Sequence, residues 1–135
     1  MINSIFVNLP VKDLKRSIAF FTELGFTFNP QFSNEEGTCM ILGKDMYAML
    51  LVEKLFTGFS KRPVGDTPKT AEVITSMMLE NRADVDLLAD KALEAGAVNY
   101  SDPADMGFMY NRSFQDLDGH LWEVGWMDPA HVEPF

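Results

Sequence analysis

Apolar positions along the chain alternate between the period of a strand and the period of a helix, and they do so twice in the same order. Ile5-Phe6-Val7-Asn8-Leu9 is a short β-rich run ended by Pro10. Asp13 opens a helical pattern in which Leu14, Ile18, Phe21 and Leu24 follow at spacings of 4, 3 and 3, and Gly25 closes it. Strands are predicted from Phe26 to about Phe32, from Thr38 to Leu42 and from Tyr47 to Val52, with Asn34-Glu35-Glu36-Gly37 and Gly43-Lys44-Asp45 as turns. The order then returns. Val73 to Leu79 reads as a strand, and Asp84 opens a helix with Val85, Leu88, Ala92 and Ala95 inward and Gly96 at its end. Strands follow near Ala97 to Tyr100, Phe108 to Gln115 and Leu121 to Met127. Asp13 to Gly25 and Asp84 to Gly96 each span twelve residues, so the pattern predicts two βαβββ halves, about 1–54 and 71–127, within one domain. Residues 55–70 mix Gly58, Pro63, Gly65 and Pro68 with Phe56 and Phe59 and read as a linker with a short helical turn, while 128–135 form a tail. In each half the helix covers one face of the sheet and leaves the other to a ligand.

One carboxylate interrupts the last apolar strand. Asp118-Gly119 is a hairpin signal, since Gly tolerates positive φ and Asp accepts the left-handed region. In the strand after it, Leu121, Glu123 and Gly125 point one way and Trp122, Val124 and Trp126 the other. Burying an unpaired carboxylate is costly unless it is hydrogen-bonded, charge-paired or neutralised. Two readings follow for Glu123. With the turn centred on Leu117-Asp118, Arg112 falls opposite about residue 123, and a buried Arg112–Glu123 pair is structural. Alternatively, Glu123 is protonated or ligand-paired and acts as an acid/base or as a receptor for an amine or hydroxyl.

Charge removes several function classes. Twenty acidic residues against eleven basic give a net charge of −9, which repels phosphate backbones and anionic lipid, so neither nucleic acid nor a membrane surface is an expected partner. No apolar run is long enough to span a bilayer, and Met1-Ile2-Asn3-Ser4 lacks a basic leader. Cys39 is the lone cysteine, which excludes an internal disulfide and fits a reducing compartment; the expected location is cytoplasmic. Of nine methionines, Met49 and Met78 have the parity to face a cleft, and the rest read as core. His120 opposes Glu123 in parity and reads as a turn residue, while His131 reads as surface or interface. Asp116-Leu117-Asp118-Gly119 lacks the later Glu of a calcium loop, and no phosphate-binding glycine motif, Ser-His-Asp set or Cys-His set is present.

The opening Val7-Asn8-Leu9-Pro10-Val11-Lys12-Asp13-Leu14, with Ser17-Ile18-Ala19-Phe20-Phe21, Leu24-Gly25-Phe26 and Asp116-Leu117-Asp118-Gly119-His120-Leu121-Trp122-Glu123, resembles the glyoxalase/bleomycin-resistance/extradiol-dioxygenase superfamily, the vicinal oxygen chelate proteins. The resemblance implies an α+β fold of two βαβββ modules forming an open, incompletely closed barrel, with helices outside, a concave small-molecule cleft and a homodimer. It also implies, for metal-dependent members, His or Glu ligands from the first and last strands of each module. Those positions fall here at Phe6, about Leu51, about Ile74 with Ser76 as its polar neighbour, and Glu123, so Phe6, Ile74 and Glu123 are expected to converge on one concavity. Only Glu123 is a donor. One carboxylate does not make a transition-metal site, and neither a metal nor another cofactor is expected. A displaced set of Asn8, Glu53 and Glu123 would suit a hard ion such as Mg²⁺. The leading expectation is a metal-free, bleomycin-resistance-like protein that holds a small organic molecule, with Phe6, Met49, Ile74 and Met78 as apolar walls. The alternative is a lyase, isomerase or dioxygenase of glyoxalase type, using displaced ligands or Glu123 as a general base.

Overall fold

Two four-stranded mixed sheets, neither closed on itself, carry the chain in the computed structural model, which describes residues 1–131. They belong to two compact units, Met1–Thr70 and Ala71–Phe135. Among the described residues there are three α-helices, and the class is α+β.

The first unit runs β1 (Ile5–Val11), α1 (Leu14–Glu23), β2 (Thr27–Asn29), β3 (Gly37–Gly43) and β4 (Met46–Val52), with the strand order β1-β4-β3-β2. β1 is parallel to β4 and the other pairs are antiparallel. Pro10 does not end β1, because the strand has a neighbour on one side only and an edge tolerates the missing N–H. The strand expected to reach Phe32 stops at Asn29, whose side chain accepts from the Gln31 N–H and turns Pro30–Phe32 into a 3₁₀ helix. Asp13 caps α1 by accepting from the Arg16 N–H at 3.1 Å. The helix buries Leu14, Phe20 and Phe21, and with Val11, Met40, Ala48 and Leu50 these form the unit's core. The short helical turn expected in the linker is a longer helix that starts two residues before it, α2 (Glu53–Ser60), which packs on β1 and β4 and ends at Lys61 in the left-handed region, φ 59°.

The second unit repeats the scheme with β5 (Ile74–Met78), α3 (Arg82–Glu94), β6 (Ala104–Asp105), β7 (Met109–Gln115) and β8 (Leu121–Met127), in the order β5-β8-β7-β6. Two expectations need correction. The cap of α3 is Asn81, accepting from the Asp84 N–H at 2.8 Å, so the helix starts earlier than Asp84 and is longer than α1. No strand forms over 97–100: Val98 makes a single bridge with Gln115, and the strand position is filled by the two-residue β6. Val85, Ala89 and Ala92 of α3 are buried, as are Phe114, Trp122 and Val124 of the sheet, whereas Leu88 and Ala95 are half-buried.

The two helices end alike. Gly25 and Gly96 take φ of +100° and +112°. At the first, the Gly25 N–H donates to Thr22 O and the Phe26 N–H to Phe21 O; at the second, Gly96 donates to Leu93 O and Ala97 to Ala92 O. Both are the six-to-one and five-to-two bond pair that a left-handed glycine completes after a helix.

Candidate ligand site

The hairpin between β7 and β8 fixes the site's register. Asp116 is buried, and its Oδ1 accepts from the backbone N–H groups of Asp118 at 2.9 Å and His120 at 3.0 Å while Oδ2 accepts from the Trp122 indole N–H at 2.9 Å. Burial is the largest influence on this carboxyl and lifts its pKa, against the pull of His120 and of the three donors. Gly119 supplies the positive φ of 90°. The connection so built spans residues 116–120 and pairs Gln115 with Leu121, Ser113 with Glu123 and Arg112 with Val124.

Arg112 is therefore not the partner of Glu123. It lies on the helix side of the sheet, where its Nη1 donates to Asp86 at 3.1 Å and Asp90 at 2.8 Å, one turn apart on α3. The Tyr110 hydroxyl donates to the same Asp86 at 2.5 Å. Nearby, Arg82 pairs with Asp105 and lies over the Tyr110 ring, 4.5 Å from its centroid. The hairpin is centred on Asp118 rather than between Leu117 and Asp118, and in a strand that one-position change of partner exchanges the faces.

On the opposite face the register sets out three rows across β5, β8 and β7: Ile74–Leu121–Gln115, Ser76–Glu123–Ser113 and Met78–Gly125–Asn111. Glu123 is at the centre, half-buried, and its Oε1 accepts from Asn111 Nδ2 at 2.9 Å. Gly125 lies between Met78 and Asn111, and a Cβ there would stand 3.3 Å from Met78 Sδ and 3.4 Å from Asn111 Cβ. Ser113 is 9% exposed, and its Oγ is buried without a hydrogen-bond partner among the described residues. Tyr100, in the segment expected to be a strand, stands close by: burial raises its hydroxyl pKa most, the Ser113 side chain lowers it without an aligned bond, and the Glu123 charge raises it. Asn111, Ser113 and Tyr100 were missed from the sequence, yet the parity of Glu123 with the correct register points to the first two.

The first-unit residues are placed as follows. Phe6 of β1 is 45% exposed and stacks on Tyr47, ring centroids 4.6 Å apart. Asn8 lies beside Met49, and Leu51 beside Pro10, buried at 2% exposure. Glu53 does not continue the parity of Leu51, because β4 stops at Val52 and Glu53 is the first residue of α2, where an acid favours the helix N-terminus. The Asn8–Glu53–Glu123 set thus loses the strand geometry that suggested it. His120 is half-buried with its N–H on Asp116, and His131 is exposed and stacks on Phe108, centroids 3.9 Å apart.

Comparison with known proteins bears on this geometry. A model of the bleomycin resistance protein-like N-terminal family matches residues 3–43. A hypothetical protein from S. aureus is 30% identical over 93% of this chain and 94% of its own, with a TM-score of 0.79. A glyoxalase-related enzyme from Fulvimarina pelagi superposes with a TM-score of 0.78 at 18% identity, covering 93% of this chain and 88% of its own. A glyoxalase/bleomycin resistance protein/dioxygenase from Nocardioides does so at 0.72 and 20% identity, covering 100% and 88%. The chain belongs to the glyoxalase/bleomycin-resistance/dioxygenase superfamily. No curated protein sequence matches this superfamily member. Its residues do not fit the divalent ion of the superfamily's metal-dependent members. Phe6, Leu51 and Ile74 have no lone pair, Glu123 is engaged by an amide, and among the described residues no three His, Cys, Asp or Glu side chains are grouped to hold a metal.

Proposed function

We propose that this superfamily member binds a small organic molecule without a metal, and that the second unit's open face, centred on Glu123, is where the ligand's polar group is held. The observation that carries the reading is the Asn111–Glu123 hydrogen bond. It orients the carboxylate with a neutral donor in the place where a metal-dependent relative would have a cation, and it leaves Oε2 directed to a ligand. Ile74 and Met78 flank the polar row as apolar walls, and Phe6 and Met49 are the corresponding candidates in the first unit. Sequestration fits this arrangement better than acid/base chemistry, because among the described residues the face offers Glu123 no second charged group of its own. The reading includes a homodimer, since β1 and β5 are edge strands and Ile5 in the first and Val73 beside the second are exposed apolar residues outside the ligand row. It also includes action in the cytoplasm, where the lone, buried Cys39 remains a thiol.

Elemental analysis tests the metal-free reading. Protein purified without chelator or affinity-tag metal is expected to carry far less than one Zn, Fe, Ni or Mn per chain, and ligand binding is expected to survive chelation. One metal per chain that disappears in Glu123→Gln would overturn the reading in favour of a metalloenzyme.

A further inference from the structure

The hydrogen-bonding inventory of the Glu123 face is unbalanced. Asn111 has committed its amide N–H to Glu123 Oε1, which fixes the amide orientation and presents its Oδ1 as an acceptor. Among the described residues Glu123 Oε2 and Asn111 Oδ1 accept no hydrogen bond, and Ser113 Oγ, though near the Tyr100 hydroxyl, makes none. Ser76 and Tyr100 add hydroxyls that accept as readily as they donate. The face thus has a surplus of acceptors around one carboxylate, with no cationic side chain on it, since Arg112 is turned to α3.

From this we infer that the Ser76–Glu123–Ser113 row, with Asn111, receives the primary ammonium group of a small amphiphilic amine. The inference rests on the reading of this face as the ligand site and specifies its ligand class. A primary ammonium carries three donors and no acceptor, the complement of what the row presents. Its first N–H meets Glu123 Oε2, and the charge makes that bond stronger than a neutral one. A second meets Ser113 Oγ after rotation about χ1, giving a buried hydroxyl the partner it lacks. The third meets Asn111 Oδ1 or Ser76. Carboxylate or phosphate ligands would bring further acceptors against Glu123 and are rejected by like charge. The alkyl part of the amine lies along Ile74 and Leu121 on one side, or over Gly125 toward Met78 on the other, and Ile74 and Met78 are 50% and 58% exposed. A net charge of −9 also favours the approach of a cation.

A matched set of probes tests this on the full chain: n-hexylammonium, hexanol, hexanoate and hexyltrimethylammonium, followed by NMR at neutral pH through the Asn111 side-chain amide and the backbone of residues 121–125. Hexylammonium is expected to bind at least about fivefold more tightly than the other three, because the alcohol lacks the charge, the acid has the wrong sign and the quaternary ion has no N–H. Glu123→Gln should abolish the preference, and Ser113→Ala should weaken hexylammonium several-fold; an unchanged circular dichroism spectrum separates each effect from unfolding. If hexanol or hexanoate perturbs the same resonances with equal or greater affinity, the ammonium assignment is wrong and the face remains a ligand site. If none of the four perturbs them, the site reading fails as well.

Discussion

Arg112 and Ser113 are neighbours in the chain with opposite roles, and a single step of register assigns them. Arg112 bridges two carboxylates on α3, so Arg112→Ala would leave Asp86 and Asp90 repelling each other one turn apart as well as removing the packing of the arginine stem. Both carboxylates are half-exposed or more and screened by solvent, and the expected loss is about 1–2 kcal/mol in denaturant unfolding, with binding at the Glu123 face unchanged. If ligand binding were lost and stability kept, the register described here would be wrong. Asp86 also sets a pH dependence. The Tyr110 hydroxyl first, and then Arg112, hold its carboxyl below the usual carboxylate range against the opposing effect of burial. A depressed folded pKa stabilises the protein fully above the unfolded value of about 3.9 and loses that contribution as pH falls through the lower folded value. Tyr110→Phe should therefore cost about 0.5–1 kcal/mol at pH 7, after screening, and progressively less toward pH 3, as followed by thermal unfolding across pH. The sequence marked Glu123 because a carboxylate in an apolar strand is conspicuous. It did not mark Ser113 or Asn111, because their relevance depends on a five-residue connection shaped by the side chain of Asp116.

At the scale of elements, the repeat was legible where local chemistry decides it. Asp13 and Gly25 bound α1 as their residue types require, and Gly96 ends α3 in the same way. Replacing either glycine by alanine forces a Cβ into a positive-φ conformation, expected to cost about 1 kcal/mol. Gly96→Ala should cost more than Gly25→Ala, because its Cβ would also stand 3.2 Å from Leu117 Cδ2, whereas nothing lies within 4 Å at Gly25. Equal destabilisation in urea titrations would remove that distinction. The pattern failed where partners far along the chain decide. Val98 and Tyr100 favour a strand, yet residues 97–100 make only one bridge, because β7 finds its outer neighbour in Ala104–Asp105 instead. Residues 55–60 read as linker with only a short helical turn, because Gly58 and the nearby prolines obscure a helix whose stability comes from packing on β1 and β4.

For the molecule as a whole, the sequence conveyed the superfamily through the spacing of Asp13-Leu14, Leu24-Gly25 and Asp118-Gly119, all of which serve helix ends and turns. The same residues say nothing of a ligand, which is why the chemistry had to come from the register of one sheet. No described helix is long and apolar enough to cross a membrane. Of the tail expected over 128–135, residues 132–135 lie outside the described residues. The homodimer is proposed on the edge strands β1 and β5 with Ile5 and Val73, and light scattering at micromolar concentration is expected to give twice the chain mass. A replacement of Ile5 and Val73 by lysine should shift that value to the monomer; a monomeric parent protein would refute the proposal.

The strand order also governs how the protein comes into being. In each unit the first strand to leave the ribosome is the last to find its neighbour: β1 pairs with β4, and β5 with β8. Until Val52 has been made, the nascent chain carries Ile5–Val11 with no strand to receive it, and an elongation pause shortly before that point exposes a ribbon able to pair with another chain. Beyond Val52, every strand of the first sheet is present, and synthesis of the second unit can proceed from a first sheet whose pairing partners are complete.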